Sequence, residues 1–299
     1  MTNAIEFRGV RRHFGQQEVL RGLELAVKPG EVFALLGRNG SGKTTALRIL
    51  LGFLKPHEGE AFILGRPSAA LTSADRERIG YVAEGQHLYP ELRVCDLLRF
   101  EAETRTRFEP ALAERELARA GLPLEKHVWH LSRGQRAQVA LILVAATSPE
   151  VLVFDDPAMG LDVVMRRQLL DTLIELLAER GCAVLFSSHI LTDVERIADR
   201  VGILHGGALI VDAPLDELKR RVQKRQWIPR KVNGHGAEPL VDGLLRARKV
   251  SEAYELTLLD LDEAREATLR AGATHVSEPL VPDLEELFLD LTTGTENSR

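Results

Sequence analysis

The sequence predicts an α/β fold, a core of parallel strands covered by helices, with a smaller second domain after it. Three observations carry that expectation. Residues 32–36, 151–154, 183–186 and 201–204 are short apolar runs without alternation, the pattern of strands buried on both faces. Helical periodicities lie between these runs, so strands and helices alternate. After about Asp212 the texture of the chain changes.

Along the chain, the first run leads into a glycine-rich stretch, 37–44, and then an apolar-periodic segment, 46–54. A helix is expected from Pro110, a residue suited to a first turn, to a stop at Gly121. Leu169, Leu173, Leu176 and Leu177 mark another, closed by Gly181 where a left-handed cap is tolerated. Residues 219–231 hold seven basic side chains and no acidic one, and Pro229, Asn233, Gly234, Gly236 and Pro239 accompany and follow them. That composition reads as a helix end running into a linker. Beyond it come an expected strand, 253–259, a helix, 262–271, ended by Gly272, and a helix, 283–291, with Leu284, Leu287, Phe288 and Leu291 on one face. The division expected is 1–215 for the first domain, 216–239 for the basic helix end and linker, and 240–299 for a small α+β domain.

The 299 residues, 44% hydrophobic and 28% charged, exclude a disordered or disulfide-dense chain. A net charge of −5 supplies no global field for nucleic acid phosphates, so no specific nucleic acid partner is expected. The longest apolar run, 139–146, is far short of the roughly 18 to 20 residues that span a bilayer. Residues 1–9 contain Glu6 and no stretch like a signal peptide. Cys95 and Cys182 lack metal-ligand spacing and read as free thiols in a reducing cytosol.

Gly37, Arg38, Asn39, Gly40, Ser41, Gly42, Lys43 and Thr44 match GxxxxGK[ST] between an expected strand and an expected helix. The glycines let backbone N–H groups turn inward toward phosphate oxygens, and the following helix adds its positive end. Lys43 would reach the β- and γ-phosphates of ATP, and the Thr44 hydroxyl would hold Mg²⁺. Asp155 and Asp156 end the apolar run 151–154, where a carboxylate can meet that cation, usually through a water.

Leu131-Ser132-Arg133-Gly134-Gln135, 20 residues before Asp155, matches the LSxGQ signature, and on it the chain resembles the ATP-binding cassette (ABC) proteins. The other motifs follow in the family's order. They are the phosphate loop, Pro56-His57-Glu58-Gly59 with Gly65, Ile79-Gly80-Tyr81-Val82, the acidic strand end, Gly160-Leu161-Asp162 and Ser187-Ser188-His189. The resemblance covers roughly residues 3–215. It implies a RecA-like P-loop NTPase core of mixed sheet, with antiparallel β and helical subdomains, the helical one at about 85–147. It further implies that residues 37–44 with Thr45 bind ATP, and that Phe14, or His13 instead, stacks on adenine. Asp155 would orient Mg²⁺ with Thr44, Asp156 would act as general base, and His189 would sense the γ-phosphate. Ser132, Gly134 and Gln135 would serve the nucleotide of a facing cassette, with Asp162 coupling the two sites across a dimer, so a homodimer or heterodimer is expected.

Two positions depart from the family pattern. Asp156 stands where glutamate is usual, which withdraws the carboxylate by about one C–C bond; a misplacement near 1 Å can cost on the order of 10²-fold in rate. Glu84 stands where the Q-loop glutamine is expected, with Gln86 two positions away; Glu84 is a catalytic and metal-site candidate that adds negative charge beside the phosphates. The 47 residues from Glu84 to Leu131 leave no room for the long coiled coils of chromosome-maintenance relatives. What remains resembles a separate subunit of a bacterial ABC-2 type exporter, peripheral on the cytoplasmic face of the cell membrane and docked on transmembrane permease subunits through residues 87–98. The alternative is a soluble ABC-type regulatory ATPase acting on nucleic acid or ribosomes; a third reading is an ATP-binding switch with near-zero turnover. The basic run admits a solvated helix end or contact with anionic headgroups.

Overall fold

The computed structural model describes residues 2–85, 88–232, 235–236, 239 and 241–293, in two compact units, Met1–Asp212 and Ala213–Arg299. The first opens with β1 (Ile5–Phe14), β2 (Gln17–Val27), β3 (Val32–Leu36), α1 (Lys43–Leu50), β4 (Glu58–Ile63), β5 (Arg66–Pro67), α2 (Ser73–Glu77) and β6 (Ile79–Val82). Three helices follow, α3 (Val94–Thr104), α4 (Pro110–Arg119) and α5 (Arg133–Ala145). Then come β7 (Val151–Asp155), α6 (Val163–Arg180), β8 (Ala183–Ser188), α7 (Leu191–Ile197), β9 (Arg200–His205) and β10 (Ala208–Pro214).

Four apolar runs of the sequence are β3, β7, β8 and β9, and they are buried because they form the middle of a six-stranded sheet ordered β10-β9-β3-β8-β7-β6. The pairs β3–β9, β3–β8, β8–β7 and β7–β6 are all parallel. Their register sets Leu36 beside Ser188 and Asp155 beside Ser187, so three strands deliver their C-terminal ends to one edge. In open α/β sheets that edge is where ligands bind.

A second sheet, ordered β2-β1-β4-β5, is antiparallel, with Ile5, Phe7 and Val10 of β1 and Leu20, Leu23 and Leu25 of β2 buried. These side chains share one core with Phe33, Leu35, Leu47 and Leu50, which fixes the phosphate loop between the two sheets. Helices α3 to α5 enclose a core of their own, built on Val94, Leu97, Leu117, Val139 and Ile142. Pro110 opens α4, and Gly121 beyond it takes φ 64°; Gly181 after α6 takes φ 60°.

The second unit contains α8 (Leu215–Arg221), β11 (Val222–Pro229), β12 (Lys231–Val232), β13 (His235–Gly236), β14 (Leu244–Val250), β15 (Ala253–Leu259), α9 (Glu263–Ala271), β16 (Ala273–Val276) and α10 (Leu284–Thr293). Its main sheet, β14-β15-β11-β16, is antiparallel at every joint and packs Trp227, Tyr254, Leu256 and Leu258 against Leu269. The stretch read from its charge as helix end and linker is therefore corrected. Only 215–221 is helical, and 222–229 is a strand paired on both sides. Three of its basic side chains have acidic partners: Arg221 pairs with Asp260 at 2.8 Å, Lys224 with Glu286 at 2.8 Å, and Arg225, 5% exposed, with Glu266 at 3.1 Å.

Candidate active site

The loop between β3 and α1 is glycine-dependent for steric reasons. A Cβ on Gly37 would lie 2.6 Å from the Leu204 carbonyl oxygen and 2.3 Å from Ser41 Oγ. Gly42, at φ 111° before α1, would meet Leu20 and the Val19 carbonyl oxygen at 2.8 Å. Lys43 folds back over this loop, its Nζ donating to Gly37 O at 2.7 Å and Arg38 O at 3.3 Å. Burial pulls the Lys43 ammonium below its ordinary pKa, against the charges of Asp156, Asp155 and Glu84, which favour the cation.

Across the cleft, Thr44 Oγ1 and Ser187 Oγ both donate to Asp155 Oδ1, each at 3.0 Å. Ser187 Oγ also accepts the Asp156 N–H at 3.0 Å, which orients the next residue. Asp156 adopts φ 48°, a left-handed conformation that aspartate tolerates better than most side chains. It is 6% exposed, and burial pushes its carboxyl above the usual range, while the hydrogen bond to His189 acts the other way. Asp156 Oδ2 bonds His189 Nδ1, whereas Oδ1 is buried with no hydrogen-bond partner. One oxygen is held and the other is left without a partner.

Lys43, Thr44, Asp155 and Asp156 face a cavity of about 430 Å³, within the range of small-molecule sites, whereas Ser187 and His189 are not among its lining residues. Of the residues assigned from sequence, Phe14, Asn39, Gly40, Gly42, Lys43, Thr44, Thr45, Glu84, Asp155 and Asp156 line it. Gln17, Val19 and Met159 line it too and were missed, as was the structural role of Ser187. Ser187 had a signal, since it occupies the strand end beside the acidic one. Phe14 is 49% exposed with the Arg12 guanidinium 4.8 Å from its ring centre, whereas the His13 ring stacks on His57 at 3.6 Å. The structure thus places Phe14 at the cleft, with the imidazole of His13 engaged elsewhere. Gln86 and His87 lie outside the described residues. A larger cavity, about 570 Å³, opens at Glu150 and Cys182, beside the N-terminal ends of β7 and β8. There Arg78 and Arg107 close on Glu150 and hold its carboxyl down at about 2, so its charges are already matched.

The signature residues are not on this cleft. Ser132 caps α5 reciprocally with Gln135, each side chain accepting the other's N–H at 3.1 Å. Gly134 packs so closely on α6 that a Cβ would fall 2.2 Å from Met165 Cε. Asp162 caps α6 through the Met165 N–H at 2.9 Å, and Met159, Val163 and Val164 around it are exposed. No helix among the described residues is long and apolar enough to cross a membrane.

The family described as ABC transporter matches residues 20–159. The bacitracin transport ATP-binding protein BcrA of Bacillus licheniformis is 32% identical over 75% of this chain and 74% of its own. The Nod factor export ATP-binding protein I of Cupriavidus metallidurans is 30% identical over 98% of both chains. The chain is an ABC transporter ATP-binding protein. A solved dimeric ATP-binding cassette in a post-hydrolysis state, bound to ADP and Pi, aligns on this cassette with a TM-score of 0.63. It is 25% identical over 71% of this chain and 98% of that one. The cassette is accordingly an ATP-binding and ATP-hydrolysing transporter subunit, and nothing among these relatives favours the ribosome or nucleic acid alternative.

Proposed function

We propose that this subunit powers export across a membrane by binding MgATP between two cassettes and hydrolysing it there. The observation that carries the reading is Asp156, a buried carboxylate with one oxygen anchored by His189 and the other unpartnered at the mouth of a phosphate-binding loop. A general base needs that combination, fixed in position with one oxygen not already committed to a protein donor. Lys43 and the loop amides would hold the β- and γ-phosphates, and Phe14 would stack on adenine.

Thr44 Oγ1 and Asp155 Oδ1, 3.0 Å apart, are hard oxygen donors suited to Mg²⁺. Two donors are fewer than the roughly six that magnesium takes, so phosphate and water would supply the rest. The bound ion would neutralise charge on the triphosphate, and Glu84, facing the same cleft, would add a carboxylate beside it. Ser132, Gly134 and Gln135 stand off the cleft formed by Lys43, which supports their serving a partner cassette across an interface that includes Asp162. The exporter assignment rests on the relatives' names, and transmembrane permease subunits are the corresponding partners; the cassette would sit peripherally on the cytoplasmic face.

Steady-state phosphate release by the full chain against protein concentration tests this reading. Turnover rising more than linearly with concentration, and lost in Lys43→Ala, is expected. ATP binding without any concentration-dependent turnover would overturn the homodimeric engine and leave a partner cassette or an ATP-binding switch. Co-extraction with a multi-span protein in detergent is the expected sign of the permease.

A further inference from the structure

Six buried side-chain atoms among the described residues lack a hydrogen-bond partner. Ser41 Oγ and Asp156 Oδ1 belong to the nucleotide site. A third, Asp193 Oδ2, stands outside it, in the first turn of α7 and four residues after His189. Asp193 is 7% exposed, and its other oxygen lies 3.5 Å from Arg166 Nε, longer than a good charge-assisted hydrogen bond. Burial pushes the Asp193 carboxyl above its usual range against the charges of Arg166 and Arg196, and the charges of Asp156 and His189 act there more weakly.

Arg166 is placed by Gly160-Leu161-Asp162, the D-loop of the cassette. Its N–H bonds the Asp162 carbonyl at 3.0 Å, one residue after the Met165 N–H that the Asp162 side chain accepts. On the opposite side, Ser188 Oγ accepts the Ile190 N–H at 2.9 Å and fixes the turn that carries His189. The Arg166–Asp193 pair therefore joins the first turn of the helix begun by Asp162 to the first turn of the helix that follows His189. A loosely made pair that leaves a buried oxygen open is a poor stabiliser, because half-satisfied buried charge costs more than it returns. Stability does not account for it.

We propose that Arg166 and Asp193 are positioning residues that tie the D-loop helix to the turn of His189, so that the setting of Asp162 governs how His189 holds Asp156. The proposal rests on the roles given above to Asp156, His189 and Asp162. Movement of α6 by a facing cassette would be relayed through a charged strut to the general base.

The test compares the full-length protein with Arg166→Gln, Asp193→Asn and Asp193→Glu. Expected for Arg166→Gln and Asp193→Asn is a fall in kcat of roughly 10- to 100-fold, the scale of a misplacement near 1 Å. ATP affinity and KM should stay within about twofold, thermal stability should be equal or higher in Asp193→Asn and lower in Arg166→Gln, which leaves a buried carboxylate without its cation, and Asp193→Glu should recover part of kcat. Native kcat in both neutral variants overturns the proposal, and so does a loss of kcat in Asp193→Asn that tracks a loss of its melting temperature. If the wild-type chain itself shows no turnover above Lys43→Ala, the hydrolytic reading fails, and hydrogen exchange decides the strut alone. MgATP should slow exchange across 189–196 in the wild type and not in Arg166→Gln; equal slowing in both overturns it.

Discussion

Asp156 in the first unit and Asp290 in the second are buried to the same depth, 6% and 5% exposed, and their surroundings treat them oppositely. Asp290 has both oxygens engaged, Oδ1 by Arg246 at 2.7 Å and Oδ2 by the Thr257 hydroxyl, itself 3% exposed. Asp156 has one oxygen engaged and one left open. A carboxylate that only supports a fold is closed off by its neighbours, because an unpaired buried charge is costly. One that acts on a ligand must keep that cost, and what distinguishes the two is the count of partners rather than the depth of burial.

The sharpest way to break the comparison is to remove the groups around Asp156. Lys43→Ala should abolish ATP-dependent phosphate release, a fall of at least about 10²-fold; native turnover in that variant would remove the phosphate loop from the chemistry. Asp156→Asn should lower kcat by on the order of 10²-fold while leaving ATP binding intact, measured with a fluorescent nucleotide. The same substitution should raise the melting temperature, since it deletes a buried charge. Because burial lifts the Asp156 carboxyl in the folded chain, ionising it costs stability at pH values above its folded pKa. The advantage of Asn over Asp should thus be largest at neutral pH and shrink as pH falls through that pKa, where Asp156 takes up its proton. An advantage that grows on acidification would contradict the sign.

The second unit should answer in stability alone. Asp290→Ala leaves the buried Thr257 hydroxyl without its acceptor, while the half-exposed Arg246 can turn to water, so a loss of about 2 kcal/mol is expected from urea unfolding. No change would mean that Asp290, too, is held against its interest. Smallest is Phe14→Ala, which should weaken ATP binding about tenfold, the value of one base stacked on an aromatic ring. Unchanged affinity would take adenine recognition away from that ring.

Legibility followed sequence distance. The parallel strands announced themselves because both faces are covered and every residue of β3, β7 and β8 is apolar or sits at the site. The antiparallel sheet of β1 and β2 was expected from the family resemblance and not from the residue pattern, because register shifts between Phe7 and Val10 and at Arg11 break the alternation. β11 was misread for a different reason. Arg225 occupies a core position of a central strand, and the partner that makes this tolerable, Glu266, comes from a helix 41 residues later. The phosphate loop and the acidic strand end were legible because each is contiguous, while Gln17, Val19 and Met159 reach the cleft only through the folding of distant segments.

The backbone of Asp156 has a consequence for how such a chain can change. From an aspartate codon, one base substitution reaches asparagine or glutamate, yet the φ of 48° favours the first, since asparagine shares the tolerance of aspartate for left-handed backbone and a longer side chain does not. A mutational route from an engine to a silent ATP-binding subunit is short and leaves the fold intact, whereas a glutamate at residue 156 would bear more backbone strain there. A dihedral angle here filters what the genetic code offers.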